Sequence, residues 1–335
     1  MLRGEVRELI VESEVLRGNP LGDPTRRALP VYLPPEDCWP GGAREELPLV
    51  LVLAGYGGNG RNNLVGTPWD PSFTERYEAL LAADAVAPCA FAFPDGFTRL
   101  GGSQYMNSSA IGRYQDHVLD ELLPAVQREC GVGLRRERRG LMGKSSGGFA
   151  SLNLAWARPE DFSGLACQSG DAYFELGYKP DFPKLLTQLE RLGGVEAFVA
   201  HFEAAQKKST PLFLAMNALC MAACYSPNEN APLGIDLPVE LHTGRLRQEV
   251  WARWLQHDPV ERAPAEGGKL RDYACVFVDC GTADEFHLQF GARQLVAALR
   301  EAGVTVTHEE FDGGHMGISY RYDVSLPLLT RALAG

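Results

Sequence analysis

From Glu5 to Ile10 charged and apolar side chains alternate, the two-residue period of a strand with one wet face. Strands are expected over Val6–Val15 and Arg27–Leu33, and the turn-rich residues 18–24 between them suit an antiparallel pair. The pattern then changes. Leu47 to Leu53 is an almost continuous apolar run, as in a strand buried on both faces, and it stops at the glycine-rich Ala54-Gly55-Tyr56-Gly57-Gly58-Asn59-Gly60. Asp70-Pro71 offers an N-cap and a first-turn proline for a helix through Ala85. A strand at Cys89–Phe93 follows. From Gly112 a helix is expected, with Val118, Leu119, Leu122, Leu123 and Val126 on one side. Leu141-Met142 and Phe162–Gln168 supply two further strands, and this alternation of strand and helix predicts an α/β fold with a mostly parallel sheet.

Between Ala172 and Ala263 that rhythm is lost. Helical patterns over Pro183–Leu192, Val195–Gln206, Pro211–Tyr225 and Arg245–His257 follow one another without a strand, so residues 172–263 read as a helical cap inserted between core segments 1–171 and 264–335. Most of its aromatic residues are expected to form its own core and only a few to line a pocket, an apolar, bounded one to which Met216 and Met221 contribute. Strand and helix then resume with Tyr273–Asp279, a helix from Glu285 to Ala302, a strand from Val304 to Phe311, the loop Gly313-Gly314-His315 and a last helix.

The chemistry concentrates at Gly143-Lys144-Ser145-Ser146-Gly147, a Gly-x-Ser-x-Gly pattern between an apolar strand and a helix. Such a nucleophile elbow lifts one hydroxyl out of a tight strand-to-helix turn, where a glycine β-carbon would crowd its neighbours. With 36 glycines in 335 residues the pattern alone is weak, arising by chance in roughly one such chain in six, so the flanking strand and helix carry the reading. A phosphate loop ending in Gly143-Lys144-Ser145 is excluded. It needs a glycine where Arg138 stands.

Composition narrows the partners. A net charge of −11 repels nucleic acid and anionic membrane surfaces, and the one basic run, Arg135-Arg136-Glu137-Arg138-Arg139, reads as a solvated connection. No apolar run reaches the roughly 18 residues of a membrane span, and the N-terminus lacks the apolar core of a signal peptide, so a cytoplasmic protein is expected. The eight cysteines read as buried free thiols. Cys220 and Cys224 stand four apart on a helix without further ligands nearby, so neither a metal nor a cofactor is expected.

A serine hydroxyl is a weak nucleophile and needs a histidine base and an orienting carboxylate, which on a strand–turn–helix elbow follow in the order serine, acid, histidine. His315, in a glycine-rich loop after the final strand, fits the base; His308, within that strand, reads as structural. Asp284, after the Gly281-Thr282-Ala283 turn, is the first choice of acid, with a helix N-cap as its competing role, and Asp279 at the strand end is the second. The backbone N–H groups of Ser146 and of Tyr56 are the expected oxyanion donors.

Together the elbow, Ala54-Gly55-Tyr56-Gly57-Gly58, Pro94-Asp95-Gly96, Gly102-Ser103-Gln104-Tyr105, Asp120-Glu121-Leu122-Leu123-Pro124, Gly281-x-x-Asp284 and Gly314-His315 resemble the esterase D family of putative esterases. That family includes S-formylglutathione hydrolases, feruloyl esterases and mycolyltransferases. The resemblance spans residues 5–330 and implies an α/β-hydrolase fold with a triad of Ser145, Asp284 and His315. Two departures are Ala54, where many relatives have histidine, and the longer cap. The expectation is a serine carboxylesterase acting on short- to medium-chain esters, with a small-molecule ester as partner and a homodimer left open. A thioesterase or acyltransferase would use the same residues. A silent binding protein of the same fold is the alternative outside enzymes.

Overall fold

The computed structural model describes residues 2–335. Its centre is an eight-stranded sheet made of β1 (Glu5–Glu12), β2 (Arg26–Leu33), β3 (Leu49–Leu53), β4 (Ala90–Ala92), β5 (Arg139–Lys144), β6 (Gly164–Gln168), β7 (Cys275–Gly281) and β8 (Thr307–Phe311). The order across it is β1-β2-β4-β3-β5-β6-β7-β8. β2 runs antiparallel to both its neighbours, and every other pairing is parallel. The sequence places β3 in the interior, and all five of its residues are buried.

Helices cover both faces. α1 (Phe73–Ala82) is followed by α2 (Leu123–Cys130) and α3 (Ser146–Ala157). Near the C-terminus come α9 (Leu288–Glu301) and α10 (Tyr322–Ala334). On one face Leu123 and Val126 of α2, Leu152 and Leu154 of α3, and Leu295 and Leu299 of α9 pack against Leu51, Leu141, Leu165 and Val278. On the other, Phe73 and Tyr77 of α1 and Leu326 and Leu329 of α10 meet Val50, Val52, Met142 and Phe277. Side chains alternating along each strand feed both clusters, which is why the strands read as unbroken apolar runs.

Residues 172–263 carry α4 (Phe182–Leu192), α5 (Val195–Ala204), α6 (Thr210–Tyr225), α7 (Gln248–Leu255) and α8 (Pro259–Glu266). Phe182, Phe198, Tyr225, Trp251 and Trp254 lie in their shared core, which is continuous with Met106, Ile111, Tyr114 and Phe149 from outside the segment. Its aromatic rings meet mostly edge to face, Tyr225 and Trp254 at 5.3 Å and Phe182 and Trp254 at 5.5 Å.

Local chemistry moves several boundaries. β1 ends at Glu12 rather than Val15, because the Glu121 carboxylate accepts hydrogen bonds from the Ser13 hydroxyl and from the N–H groups of Glu14 (2.8 Å) and Val15 (3.1 Å). α1 is capped by Ser72, not Asp70. The Ser72 hydroxyl accepts from Glu75 N–H at 3.2 Å while the Glu75 carboxylate accepts from Ser72 N–H at 2.8 Å, a reciprocal box that outcompetes the Asp-Pro signal. Asp70 is spent instead on Arg76 and the Ser319 hydroxyl. α8 has no counterpart in the sequence pattern; Asp258 caps it and reaches back to the N–H groups of Tyr173 and Phe174 at 2.9 and 2.6 Å. The basic run is a solvated connection with none of its residues buried: Arg135 and Arg138 meet Glu46, and Arg136 lies over the Tyr273 ring. Among the described residues no helix is long and apolar enough to cross a membrane.

Candidate active site

Ser145 stands at the junction of β5 and α3 with φ 58° and ψ −126°, a conformation that costs a non-glycine residue about 1–3 kcal/mol. The surroundings hold it there. Its N–H donates to Gln168 O at 2.9 Å, and its carbonyl accepts from Phe149 N–H at 3.0 Å. A β-carbon on Gly147 would lie 2.0 Å from Leu53 O, and one on Gly143 would lie 2.4 Å from the Gly147 carbonyl carbon, so only glycine lets α3 approach β3 and β5 this closely. The hydroxyl therefore projects at the carboxyl edge of the sheet.

Parallel strands bring the other residues to that edge. His315 follows β8 and Asp284 follows β7. His315 Nε2 lies 3.0 Å from Ser145 Oγ, and His315 Nδ1 lies 2.8 Å from Asp284 Oδ2. Both side chains are almost wholly buried. Burial would raise the Asp284 carboxyl, but the hydrogen bond and charge of His315 and the N–H of Phe286, 2.9 Å from Oδ1, outweigh it and hold the group below its ordinary value. The competing role is not taken up: the residue flanking the start of α9 is His287. The Phe286 ring stands edge-on to His315 at 4.9 Å, and Glu285 accepts from His315 N–H.

Asp279 does not join this group. It points into the sheet's other side, where Oδ2 accepts from Arg321 Nε at 2.9 Å. Arg321 in turn holds Glu309 at 2.7 Å.

The loop after β3 closes over the elbow. Gly55 approaches so near that a β-carbon there would sit 3.2 Å from Lys144 O. Gly57 N–H donates to Gly101 O at 2.9 Å and Gly58 N–H to Gly55 O at 3.0 Å. The Tyr56 and Ser146 N–H groups have no acceptor among the described residues, the first because its neighbours take the local carbonyls, the second because it opens α3. The Tyr56 side chain is anchored separately, its hydroxyl donating to Leu100 O at 3.0 Å and its ring meeting Phe213 at 5.1 Å.

Ser145, Ser146, Tyr56 and His315 line one cleft of about 260 Å³ with Lys144, Asp171, Tyr178, Phe213, Asn217, Phe286, Leu288 and Met316. Met216 and Met221, which the sequence suggests as pocket walls, are fully buried inside the helical segment. On α6 it is Phe213 and Asn217, one turn apart, that face the cleft. Two charged residues were missed. Lys144 has no ion pair among the described residues, and burial lowers its ammonium pKa, partly offset by Asp284 and Glu285. Asp171, just past β6, places Oδ1 3.4 Å from Ser145 Oγ. Its position at the end of the strand beside the elbow was the available signal.

The family model of putative esterases matches residues 24–325. The chain belongs to that family. Solved structures similar to this esterase include a ferulic acid esterase, 18% identical with a TM-score of 0.59 over 99% of this chain and 100% of that one. An S-formylglutathione hydrolase from Agrobacterium tumefaciens is 16% identical with a TM-score of 0.60, covering 99% and 97%. The fluorophosphonate-binding serine hydrolase F of Staphylococcus aureus is 14% identical with a TM-score of 0.60, covering 99% of each chain. No curated protein matches. The esterase therefore has the α/β-hydrolase fold.

Proposed function

We propose that the protein is a serine carboxylesterase of the cytoplasm that cleaves small esters of short to medium acyl chains, with Ser145, His315 and Asp284 as its triad. The observation that carries this is the hydrogen-bonded series Asp284–His315–Ser145, at 2.8 and 3.0 Å, opening into the cleft. Ser145 Oγ attacks the ester carbonyl while His315 Nε2 takes its proton, and Asp284 fixes the tautomer that leaves Nε2 free to accept. The carbonyl oxygen, now an anion, accepts from the free N–H groups of Tyr56 and Ser146, each such donor contributing about 3 kcal/mol to the transition state. His315 passes the proton to the departing alcohol, then takes another from the water that cleaves the acyl-enzyme. The segment 172–263 serves as a cap that bounds the acyl site with Tyr178 and Phe213.

A bounded, mostly apolar site gains about 0.8 kcal/mol for each methylene buried until the wall is met. For p-nitrophenyl esters kcat/KM is therefore expected to rise from acetate to a maximum near butyrate or hexanoate and then to fall. A profile still climbing at palmitate would refute the bounded site and leave the triad standing.

Activity requires a neutral imidazole at His315, because the imidazolium cannot accept the serine proton. Asp284 is held below its ordinary value, so its protonation should not add a further step to the acid limb of kcat/KM. A limb steeper than one proton would place a second group in the step.

A further inference from the structure

The Asp171 carboxylate lies within hydrogen-bonding distance of Ser145, and the triad has no use for it. Three donors fix its Oδ2: Tyr178 OH at 2.7 Å, Gln104 Nε2 at 3.0 Å and Ser146 Oγ at 3.1 Å. Gln104 Nε2 also meets Tyr225 OH at 2.7 Å, so the carboxylate is clamped from the core loop and from the cap together. These donors leave the group little freedom to turn. Oδ1 is different. Its single partner among the described residues is the Ser145 hydroxyl, at the long distance of 3.4 Å, and Asp171 lines the cleft.

A carboxylate beside the attacking oxygen opposes the negative charge that develops on the tetrahedral intermediate. It also competes with His315 for the one Ser145 hydrogen, since the hydroxyl can donate to Nε2 or to Oδ1 but not to both. Both penalties vanish when something else donates to Oδ1. Asp171 and His315 meet only at the Ser145 hydroxyl, which lies within hydrogen-bonding distance of both. The leaving alcohol must lie within reach of His315 Nε2 to receive its proton, so a donor that reaches Asp171 Oδ1 is assigned to the acyl group.

Resting on the esterase reading, we propose that Asp171 is a specificity-determining residue that selects acyl groups bearing a hydrogen-bond donor, a hydroxyl or an ammonium, on the carbon next to the reacting carbonyl. Such a donor occupies Oδ1, turns the Ser145 hydroxyl toward His315 and screens the carboxylate from the oxyanion.

The test compares ethyl propanoate with ethyl lactate and ethyl alaninate, which differ from it by one hydroxyl or one ammonium, by following released ethanol. A hydrogen bond to a charged group corresponds to about tenfold or more, so kcat/KM of the wild type for at least one of the two substituted esters should exceed that for propanoate by this factor. A preference for lactate alone assigns the hydroxyl as the donor, and one for alaninate alone the ammonium. In Asp171→Asn, which keeps the shape, the ratio should fall to about one. Equal rates on all three esters with the wild type overturn the proposal without touching the esterase reading. So does a ratio that Asp171→Asn leaves intact. Absence of hydrolysis of every ester, with no labelling of Ser145 by a fluorophosphonate, overturns both.

Discussion

Ser145→Ala is expected to lower kcat for ester hydrolysis by about six orders of magnitude, the scale seen when a triad serine is lost as one member of a unit. What remains would come from the Tyr56 and Ser146 N–H groups and from binding, which still favour the attack of water. The fold should survive, because the elbow is held by backbone contacts: Ser145 N–H to Gln168 O at 2.9 Å, and the packing of Gly147 on Leu53. Stability adds a sharper reading. Alanine at φ 58° and ψ −126° keeps the strain of a β-carbon in that region, whereas glycine relieves it. Ser145→Gly should therefore unfold at a higher temperature than Ser145→Ala, by an amount reflecting about 1–3 kcal/mol, while both are inactive. Activity above a few per cent in either variant would remove Ser145 from the role of nucleophile. Equal melting temperatures would mean the strain is released elsewhere.

That strain also explains what was legible beforehand. A nucleophile elbow is a local device: its two glycines, its strand and its helix are adjacent in sequence, so Gly143 to Gly147 announces it. β3 and β5 were equally plain, since a strand buried on both faces admits only apolar or small residues. His315 and Asp284 could be placed because a parallel sheet delivers loop residues to one edge, and their meeting at 2.8 Å follows from β7 and β8 being neighbours. The tight turn of the loop after β3 was partly visible in Gly55 and Gly57.

Other features depended on partners outside their own segment, and little in the local sequence carried them. Glu121 ends β1 from more than a hundred residues downstream. Asp258 ties α8 to Tyr173 and Phe174 across the whole helical segment. Asp171 looked like an ordinary loop aspartate because Gln104 and Tyr178, which hold it beside Ser145, and Tyr225, which holds Gln104, lie in other segments. Met216 and Met221 were misplaced for a simpler reason. Composition shows that a helix is apolar all round but not which side faces a cleft, and on α6 the open side carries Phe213 and Asn217.

Two aspartates on adjoining segments, Asp279 in β7 and Asp284 after it, make the second large prediction a contrast. Asp284→Asn should lower kcat by about 10⁴, because an amide opposite Nδ1 stabilises the tautomer whose proton sits on Nε2 and so blocks acceptance from Ser145. The cleft is left intact, so KM should change far less than kcat. Asp279→Asn should leave kcat within a few-fold and act on stability instead, with a sign that depends on pH. Burial pushes the Asp279 carboxyl up to about 6 against the pull of Arg321. A carboxyl raised in the folded state adds stability that is complete below about pH 4 and is lost as pH rises through about 6, a change of about 3 kcal/mol. Asparagine does not ionise and escapes that loss. Relative to the wild type, Asp279→Asn should thus gain in melting temperature between pH 4 and pH 8. A constant difference across that range would mean that Arg321 holds the carboxylate ionised throughout. A kcat loss larger for Asp279→Asn than for Asp284→Asn would transfer the orienting role to Asp279, which the Arg321 contact and the 2.8 Å approach of Asp284 to His315 both oppose.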